Sequence, residues 1–376
     1  MIRILHTADL HLDGSFPRLG NRSALRQVDF LETFERILTV AIKNEVHLLL
    51  IAGDLFDHPR PGPVALGKVQ AGLKRLSDRG IISVLLPGTH DNLVASSSVY
   101  RQAHFPGAVV LDQPVQDAPV EIFLAGQQVY LYGFAYRNFA SQNALEGMQR
   151  RVEEGIHIGL LHGSREGNPE WAHRKKDLPF TMETLKSWDL DYVALGHYHG
   201  FEILSDAGRI YGCYPGSPEG KRFGENGNRY CALVTVASRS SKVEPVAVNQ
   251  RFLEEKELDL TGCADMAEAV RKICALGNPA LLLRLALTGT VEIPLELSSL
   301  ETRCEGEFFH LELLDRTRLF DSSFVRRIEK EETVRGVFVR RARLMMSRAE
   351  GEQRAILEEA FREVLARFLA FGGGER

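Results

Sequence analysis

The sequence has no CxxC pair, no long apolar run and no excess of basic residues. Its five cysteines are odd in number, which argues against a disulfide framework and against a thiolate metal site. No apolar run approaches the length of a membrane span, and the first ten residues, MIRILHTADL, are interrupted by Arg3 and His6. These absences predict a cytoplasmic protein with reduced thiols and no membrane association.

The balance of charge excludes one class of partner and leaves others open. A net charge of -4 is incompatible with a globally basic nucleic-acid coat, but DNA binding needs only a local basic surface. The hydrophobic fraction of 44% and the charged fraction of 26% are typical of a folded globular protein. The length of 376 residues exceeds that of a usual single domain, so two domains, or one with an appendage, are expected.

The first 250 residues alternate strand-like apolar runs with helical segments. Strands are predicted at residues 1–8, 46–54 and 81–88, with helices at 23–44 and 63–79 between them. Further strand-like runs follow in the order VYLYGFAY, IHIGLLHG, DYVALGH, RIYGCYPGS, YCALVTV and VEPVAV. This alternation predicts a layered α/β domain.

A smaller α+β unit is predicted beyond residue 250. It contains a helix at 264–276, the strand ALLLRLAL, a second strand near 308–314 and a helical C-terminus. We therefore expect three regions. They are a first domain at residues 1–252, a smaller domain at 253–335 and a C-terminal helical segment at 336–376.

Five of the predicted strands are followed by residues that commonly bind metals. The groups are DLH at 9–11, GDLFD at 53–57, GTHD at 88–91, LLHG at 160–163 and LGHYHG at 195–200. Loops at the carboxyl ends of the strands in an open α/β sheet line one crevice, so these side chains should converge. Each group alone is often an ordinary turn, but five groups in this order predict a metal site.

The ordered motifs DxH, GDxxD, GxHD, a later histidine and GHxH resemble those of the calcineurin-like metallophosphoesterases. The stretches ILHTADLHLDGSF, LLLIAGDLFD and YPGSPEG further resemble the SbcD-type nuclease subunits, including their shorter YhaO-like relatives. This resemblance covers about residues 1–250. It implies a β-sandwich flanked by helices, followed by a smaller α+β capping domain that binds DNA and by C-terminal helices.

The same resemblance implies a site for two metal ions. Asp54 would bridge both ions, and the other ligands would be Asp9, His11 and His199 for the first ion and His162 and His197 for the second. Nitrogen and oxygen ligands without sulfur suit two Mn²⁺ ions, which the resemblance favours, with Fe²⁺, Zn²⁺ or Mg²⁺ as alternatives. Two such ions can neutralise a phosphodiester and lower the pKa of a shared water.

The turn GTHD departs from the family pattern GNHD or GNHE at Thr89. A hydroxyl there replaces the amide oxygen that would bind the second ion, so we expect Thr89 to be a weak ligand. By resemblance, His90 contacts the scissile phosphate or protonates the leaving oxygen, and Asp57 orients it. A turn or helix N-cap role is the alternative for Asp57, and Asp91 is expected to be a structural acceptor in the turn.

Two segments are candidates for DNA contact. Gly216, Ser217, Lys221 and Arg222 follow a strand that should end near the metals, so amides and cations there could bind a phosphate. The segment WAHRKK at 171–176 adds a cationic loop with one aromatic ring that could stack on an unpaired base. Charged runs are usually solvated surface, and that alternative stays open for both segments.

The C-terminal helix carries an apolar stripe opposite a charged face. The stripe consists of Ile356, Leu357, Ala360, Phe361, Val364, Leu365, Phe368 and Leu369. By resemblance it would dock on the coiled coil of an SbcC-type ATPase, and packing within its own domain is the alternative. A basic cluster precedes the stripe and comprises Arg340, Arg341, Arg343 and Arg348. It could face DNA, the ATPase or solvent.

Together these features predict a Mn²⁺-dependent DNA exonuclease and endonuclease that acts with an ATPase in double-strand-break repair. Two alternatives remain. One is a phosphatase or phosphodiesterase of the same superfamily with a non-DNA substrate, and the other is a DNA-end-binding scaffold with weak catalysis, which the change at Thr89 suggests. The stretch YPGSP and the long C-terminal extension favour the nuclease, and the sequence leaves a homodimer open.

Overall fold

The computed structural model describes residues 1–113, 118–135, 145, 147–172, 177–263, 265–291, 294–319 and 322–372. The chain divides into two compact units, Met1–Phe252 and Leu253–Arg376. The subdivision expected after residue 335 falls inside a helix, because one helix spans Val334–Met346.

The first unit contains two sheets of six strands each within its described residues. In chain order the strands are β1 (Ile2–Thr7), β2 (Leu48–Ala52), β3 (Ile82–Leu86), β4 (Ala108–Val110), β5 (Val120–Leu124), β6 (Gln127–Tyr132), β7 (Ile156–His162), β8 (Tyr192–Gly196), β9 (Glu202–Asp206), β10 (Arg209–Tyr214), β11 (Tyr230–Ala237) and β12 (Ser240–Ala247). The first sheet has the order β12-β11-β1-β2-β3-β4, and the second has the order β5-β6-β7-β8-β10-β9. The strands that precede the metal-binding motifs, β1 to β3 and β7 to β8, run parallel within their sheets.

The two sheets pack face to face and form a sandwich. Ile4 and Val84 of the first sheet and Ile158 and Ala194 of the second are fully buried in one apolar core. Strands buried on both faces read as continuous apolar runs, which is why LLLIA and YVALG could be recognised in the sequence.

Helices cover the outer faces of the sandwich. They are α1 (Ser23–Lys43), α2 (Pro63–Ser77), α3 (Val99–Gln102) and α4 (Met182–Ser187), with 3₁₀ helices at Pro17–Arg22 and Pro169–Ala172. Phe34 and Leu38 of α1 and Val69 and Leu73 of α2 are buried against the outer face of the first sheet. The predicted α/β sandwich flanked by helices is confirmed.

Some short elements were not predicted from the sequence. The edge strands β5 and β9, with the sequences VEIFL and EILSD, have five residues each and are only partly buried. Strand β4 has three half-buried residues. Strands this short give no clear period in the sequence, so they are easily missed.

The second unit contains a three-stranded sheet and several helices. Its elements are β13 (Phe252–Asp259), α5 (Met266–Cys274), β14 (Asn278–Thr288), β15 (Thr290–Val291), α6 (Leu297–Arg303), β16 (Phe308–Asp315), β17 (Arg318–Leu319), α7 (Ser322–Glu329), α8 (Val334–Met346) and α9 (Gly351–Gly372). The sheet has the order β13-β14-β16, and β14 pairs with β16 in parallel. The strands β15 and β17 form a separate two-stranded ribbon.

Part of the apolar stripe on α9 packs inside the second unit. Leu365 is 1% exposed and lies in one cluster with Val339 of α8 and Ile328 of α7. The ring of Phe361 stacks on that of Phe338 at 5.8 Å between centroids. The stripe therefore packs within its own unit at these positions. The side chain of Leu369 lies outside the described residues.

The five cysteines carry free thiols, and all but Cys274 are buried. Within the described part of the chain, no helix combines the length and the apolar character that a membrane span requires.

Candidate metal centre

The loops that follow β1 and β2 lie side by side. Asp9 N donates a hydrogen bond to Gly53 O at 3.1 Å, and His11 N donates to Asp54 O at 3.0 Å, so the loops continue the parallel pairing of the two strands. Asp9, His11 and Asp54 have φ angles of 52°, 44° and 52°. Positive φ is unusual for residues other than glycine, and such residues cluster at functional sites where the surrounding structure holds them.

The turn after β3 approaches Asp54 closely because residue 88 is glycine. A Cβ atom at Gly88 would lie 2.2 Å from Asp54 Oδ1. His90 N donates to the same oxygen at 2.8 Å. The buried carboxylate of Asp91 closes the turn by accepting from Gly88 N at 2.7 Å and from Phe56 N at 3.1 Å. These are the contacts of a structural acceptor, and they hold His90 beside Asp54.

Among the residues that the structure describes, carboxylate and imidazole side chains converge in three overlapping groups, in each of which one ligand atom per residue lies within 4.8 Å of the others. We call these the His199 cluster (Asp9, His11, His199), the His162 cluster (Asp9, Asp54, His162) and the His90 cluster (His11, Asp57, His90). Their residues follow strands of both sheets. The predicted convergence of these side chains therefore takes place between the carboxyl ends of the two sheets of the sandwich.

The His199 cluster is almost completely buried. The Nε2 atoms of His11 and His199 face each other at 3.3 Å, and His199 Nε2 lies 3.8 Å from Asp9 Oδ1. Burial lowers the pKa of His11, which favours the neutral imidazole that metal binding requires. Two imidazole nitrogens and a carboxylate oxygen that face one another are a donor set that fits a divalent cation.

Each imidazole of the His199 cluster also contacts a carboxylate through its other nitrogen. His11 Nδ1 lies 3.0 Å from Asp57 Oδ1, and His199 Nδ1 lies 2.7 Å from Glu225 Oε1. Carboxylates in this position orient metal-binding imidazoles and fix their tautomer. Glu225 was missed in the sequence, because it lies 26 residues after His199 at a spacing that no motif marks.

Asp54 faces histidines of both the His199 cluster and the His162 cluster. Its Oδ2 atom lies 3.4 Å from His162 Nε2 and 3.9 Å from His11 Nε2. Burial would lower the pKa of His162, but the adjacent Asp54 carboxylate outweighs it and raises this pKa to about 10. The same histidine holds the pKa of Asp54 well below its ordinary value despite burial. One oxygen between two imidazoles fits a carboxylate shared by two ions.

The His162 cluster has weaker supporting contacts. His162 Nδ1 donates to the backbone carbonyl of Ala52 at 2.9 Å, which leaves Nε2 facing the site. The hydroxyl oxygen of Thr89 lies 3.4 Å from His162 Nε2 and 3.2 Å from Asp54 Oδ2. The ring of His197 lies against that of His162 at 5.4 Å between centroids. Thr89 is thus close to these ligands, but it offers them only a neutral hydroxyl.

His90 is the exposed histidine of the site. Its side chain is 47% exposed, compared with 2% for His11. Its Nδ1 lies 3.1 Å from the backbone oxygen of Asp57 and 3.6 Å from the carboxylate. The carboxylate of Asp57 lies closer to His11 than to His90 and is also paired with Lys221. Asp57 therefore supports two histidines, whereas the sequence predicted only the contact with His90.

Asp57 does not cap a helix. The nearest following helix, α2, begins at Pro63 and has Gly62 as its N-cap residue. Burial would raise the pKa of Asp57, but hydrogen bonds from His11 and Lys221 outweigh it and lower this pKa to about 2. The group is therefore a carboxylate at neutral pH.

The four predicted DNA contacts occupy different positions. Ser217 is 1% exposed, and its side chain accepts a hydrogen bond from Arg229 at 2.8 Å. Gly216 is also buried and lies against the backbone of His199. Lys221 is paired with Asp57, and Arg222 is 62% exposed. Gly216 and Ser217 therefore pack behind His199, and the cations lie nearer the surface. In the segment 171–176, residues 173–176 lie outside the described residues.

A model of the calcineurin-like phosphoesterases matches residues 2–201, which is more than half of the chain. The chain belongs to this family and is a metal-dependent phosphoesterase. The family uses a dinuclear metal site, and the clusters described above supply candidate ligands for it.

Three relatives show what the chain is similar to. It is 26% identical over 303 residues to the uncharacterized metallophosphoesterase YhaO of Bacillus subtilis, covering 77% of this chain and 72% of that protein. It is 30% identical over 218 residues to the DNA double-strand break repair protein Mre11 of Sulfurisphaera tokodaii, covering 55% of this chain and 52% of that protein. It is 28% identical over 266 residues to the SbcD subunit of the nuclease SbcCD of Bacillus subtilis, covering 62% of this chain and 66% of that protein.

Proposed function

We propose that this protein is a DNA nuclease of the SbcD type that hydrolyses phosphodiester bonds with two Mn²⁺ ions. Two of the relatives described above are named as a nuclease subunit and as a DNA double-strand break repair protein. The chain spans about half of the Mre11 protein and about two thirds of the SbcD subunit, so their activities are carried over only as a proposal.

The exposure of His90 is the observation that carries the proposal. This side chain is 47% exposed, whereas the side chains of His11 and Asp54 beside it are 2% and 3% exposed. A phosphodiester of a long polymer can reach an exposed imidazole while the side chains beside it stay buried.

The residues of the site have separable roles in this proposal. Two divalent cations, when bound, neutralise the charge of a phosphodiester and lower the pKa of the attacking water. The carboxylates and buried imidazoles of the His199 and His162 clusters would hold those cations. Because the carbonyl of Asp57 can only accept, His90 donates through Nδ1 and presents Nε2 to the substrate. With a proton on Nε2 as well, the ring could donate to the scissile phosphate or protonate the leaving oxygen through that atom.

A comparison of substrates tests the proposal. The purified protein is incubated with Mn²⁺ and single-stranded DNA, hairpin DNA or an aryl phosphodiester. A higher kcat/KM for DNA than for the aryl ester supports the nuclease. Hydrolysis of the aryl ester alone would instead identify a phosphoesterase of another substrate class, and DNA binding without hydrolysis would identify a scaffold. Parallel reactions with Fe²⁺, Zn²⁺ and Mg²⁺ test the choice of metal.

A His90→Asn variant tests the role of the exposed histidine. It should lower kcat on DNA by roughly 10² to 10⁴, the range of a general acid, while Mn²⁺ binding is unchanged. Equal losses of Mn²⁺ binding and of kcat would place His90 among the metal ligands.

We further propose an SbcC-type ATPase as the partner of the second unit. Ile356 of α9 is 60% exposed, and Val337 and Leu344 of α8 are 48% and 51% exposed. Contiguous apolar patches mark interaction surfaces, whereas scattered apolar residues do not, so the proposal requires these three side chains to belong to one patch. Residues 253–335 of this unit are proposed as the DNA-binding cap. Co-purification of the two proteins tests the first proposal, and DNA binding by variants of this cap tests the second.

A further inference from the structure

We infer that Glu225 is a positioning residue that holds His199 in the orientation and tautomer needed to bind metal. Glu225 lies in the loop between β10 and β11, beyond residue 201, where the match to the family ends. The inference rests on the metal site of the proposed function and adds a residue to it.

The contact between the two side chains is direct and shielded from solvent. Glu225 Oε1 lies 2.7 Å from His199 Nδ1, and the two side chains are 8% and 7% exposed. A carboxylate can only accept, so the proton of a neutral imidazole is held on Nδ1. The lone pair then lies on Nε2, the atom that faces His11 at 3.3 Å. A cation bound by this cluster needs that tautomer.

The second oxygen of Glu225 is held by its own loop. The backbone N–H of Lys221 donates to Oε2 at 2.7 Å, and the hydroxyl of Ser217 lies 3.4 Å from it. Arg229 donates to the side chain and to the backbone oxygen of Ser217, at 2.8 Å and 3.0 Å, and also to the backbone oxygen of His199. These contacts fix the carboxylate in place, so it can restrain His199.

The other buried histidines of the site do not allow an equally clean test. His162 is held by the backbone oxygen of Ala52, which no substitution removes. His11 is held by Asp57, which also lies near His90 and pairs with Lys221. The contact between Glu225 and His199 can be altered without a direct change to His90.

Glu219 provides a matched control from the same loop. It is 1% exposed, and its carboxylate accepts from Thr33 Oγ1 at 2.7 Å and pairs with Arg26 at 2.7 Å. It also accepts from the backbone of Gln250 and Arg251 at 2.6 Å and 3.2 Å. Glu219→Gln therefore perturbs a buried carboxylate of this loop whose contacts lie with α1 and the chain after β12.

The test is a Mn²⁺ titration of chelator-stripped full-length protein by calorimetry, with Tm measured for each variant. Glu225→Gln should raise the Kd of the Mn²⁺ site at the His199 cluster by about 10- to 100-fold, the usual effect of removing such a partner. Glu219→Gln should leave that Kd within about twofold, even if it lowers Tm. An unchanged Kd in Glu225→Gln, or an equal loss in both variants, would overturn the inference.

A second measurement does not depend on a variant that folds. Nitrogen NMR of the metal-free, unmodified protein should show His199 with its proton on Nδ1. A proton on Nε2 would overturn the inference. Both measurements are made without DNA, so a failure to cleave DNA would overturn the nuclease proposal alone. Unchanged Mn²⁺ affinity in Glu225→Gln, with DNA cleavage retained, would overturn only the role of Glu225.

Discussion

The two halves of the candidate metal site, the His199 cluster and the His162 cluster, share Asp9 but differ in what supports their histidines. In the His199 cluster, both imidazoles contact a carboxylate through Nδ1, which is Asp57 for His11 and Glu225 for His199. In the His162 cluster, the corresponding partner of His162 is a neutral backbone oxygen. A carboxylate raises the basicity of the ring that it contacts, so the His199 cluster should bind metal more tightly.

The halves also differ in their competition with protons. Burial lowers the pKa of His11, whereas Asp54 raises that of His162 to about 10. A metal must displace a proton from His162 at neutral pH but not from His11. With the hydroxyl of Thr89 in place of an amide, this difference predicts one tight and one weak metal site.

Asp54→Asn should have the largest effect, because this carboxylate faces histidines of both halves. We expect the loss of its charge to weaken both metal sites together and to reduce DNA hydrolysis below detection. Mn²⁺ titration and a DNA hydrolysis assay on the same preparation measure the two effects. Full activity of chelator-stripped, Mn²⁺-restored Asp54→Asn protein would contradict a shared ligand.

The pH dependence of Mn²⁺ binding should separate the two halves. Below the raised pKa of His162, each increase of one pH unit should strengthen the weaker site by about tenfold, because binding displaces one proton. In the His199 cluster, burial keeps His11 neutral, so only His199 can release a proton there. Calorimetric titrations at two pH values measure both constants, and a weaker site whose affinity does not depend on pH would contradict the assignment.

Thr89→Asn should reduce the difference between the halves. An amide oxygen is a better ligand than a hydroxyl, so the Mn²⁺ concentration for half-maximal activity should fall roughly tenfold, or about 1.4 kcal/mol. Thr89→Val is the matched control, because it removes the hydroxyl and keeps a side chain of similar size. It should raise the Mn²⁺ concentration needed for half-maximal activity. If the unmodified protein already binds two Mn²⁺ tightly and the variant changes nothing, Thr89 or a water completes the site.

The smallest effect on hydrolysis is expected in the second unit. Ile356→Asp changes a residue that is 60% exposed, so the free energy of unfolding should change by no more than about 0.5 kcal/mol. The rate of DNA hydrolysis should stay the same. Binding to the ATPase should weaken. Leu365→Ala is the contrasting change, because Leu365 is 1% exposed, and it should cost about 2 to 5 kcal/mol of stability. Unchanged ATPase binding by Ile356→Asp would remove that surface from the proposed interface.

The fold class could be predicted because buried strands and amphipathic helices leave periodic patterns over many residues. Strand β2 and helix α1 were predicted to within a few residues at each end. The edge strands β5 and β9 were missed, since five residues are too few to give a clear strand period. The pairing of Leu365 with Val339 was also beyond the sequence, because a stripe shows which face of a helix is apolar but not what covers it.

The sequence by itself determined which donor groups stand at the ends of the central strands, and it marked Thr89 as a departure from the family pattern. Their role as metal ligands stays a prediction. Only the tertiary structure decided that the groups meet between two sheets, that Asp57 supports His11 as well as His90, and that Glu225 holds His199. The physical reason is that a carboxylate pairs with an imidazole only when their atoms lie about 3 Å apart. The loops bring these residues together, and their spacing in the sequence does not show that distance.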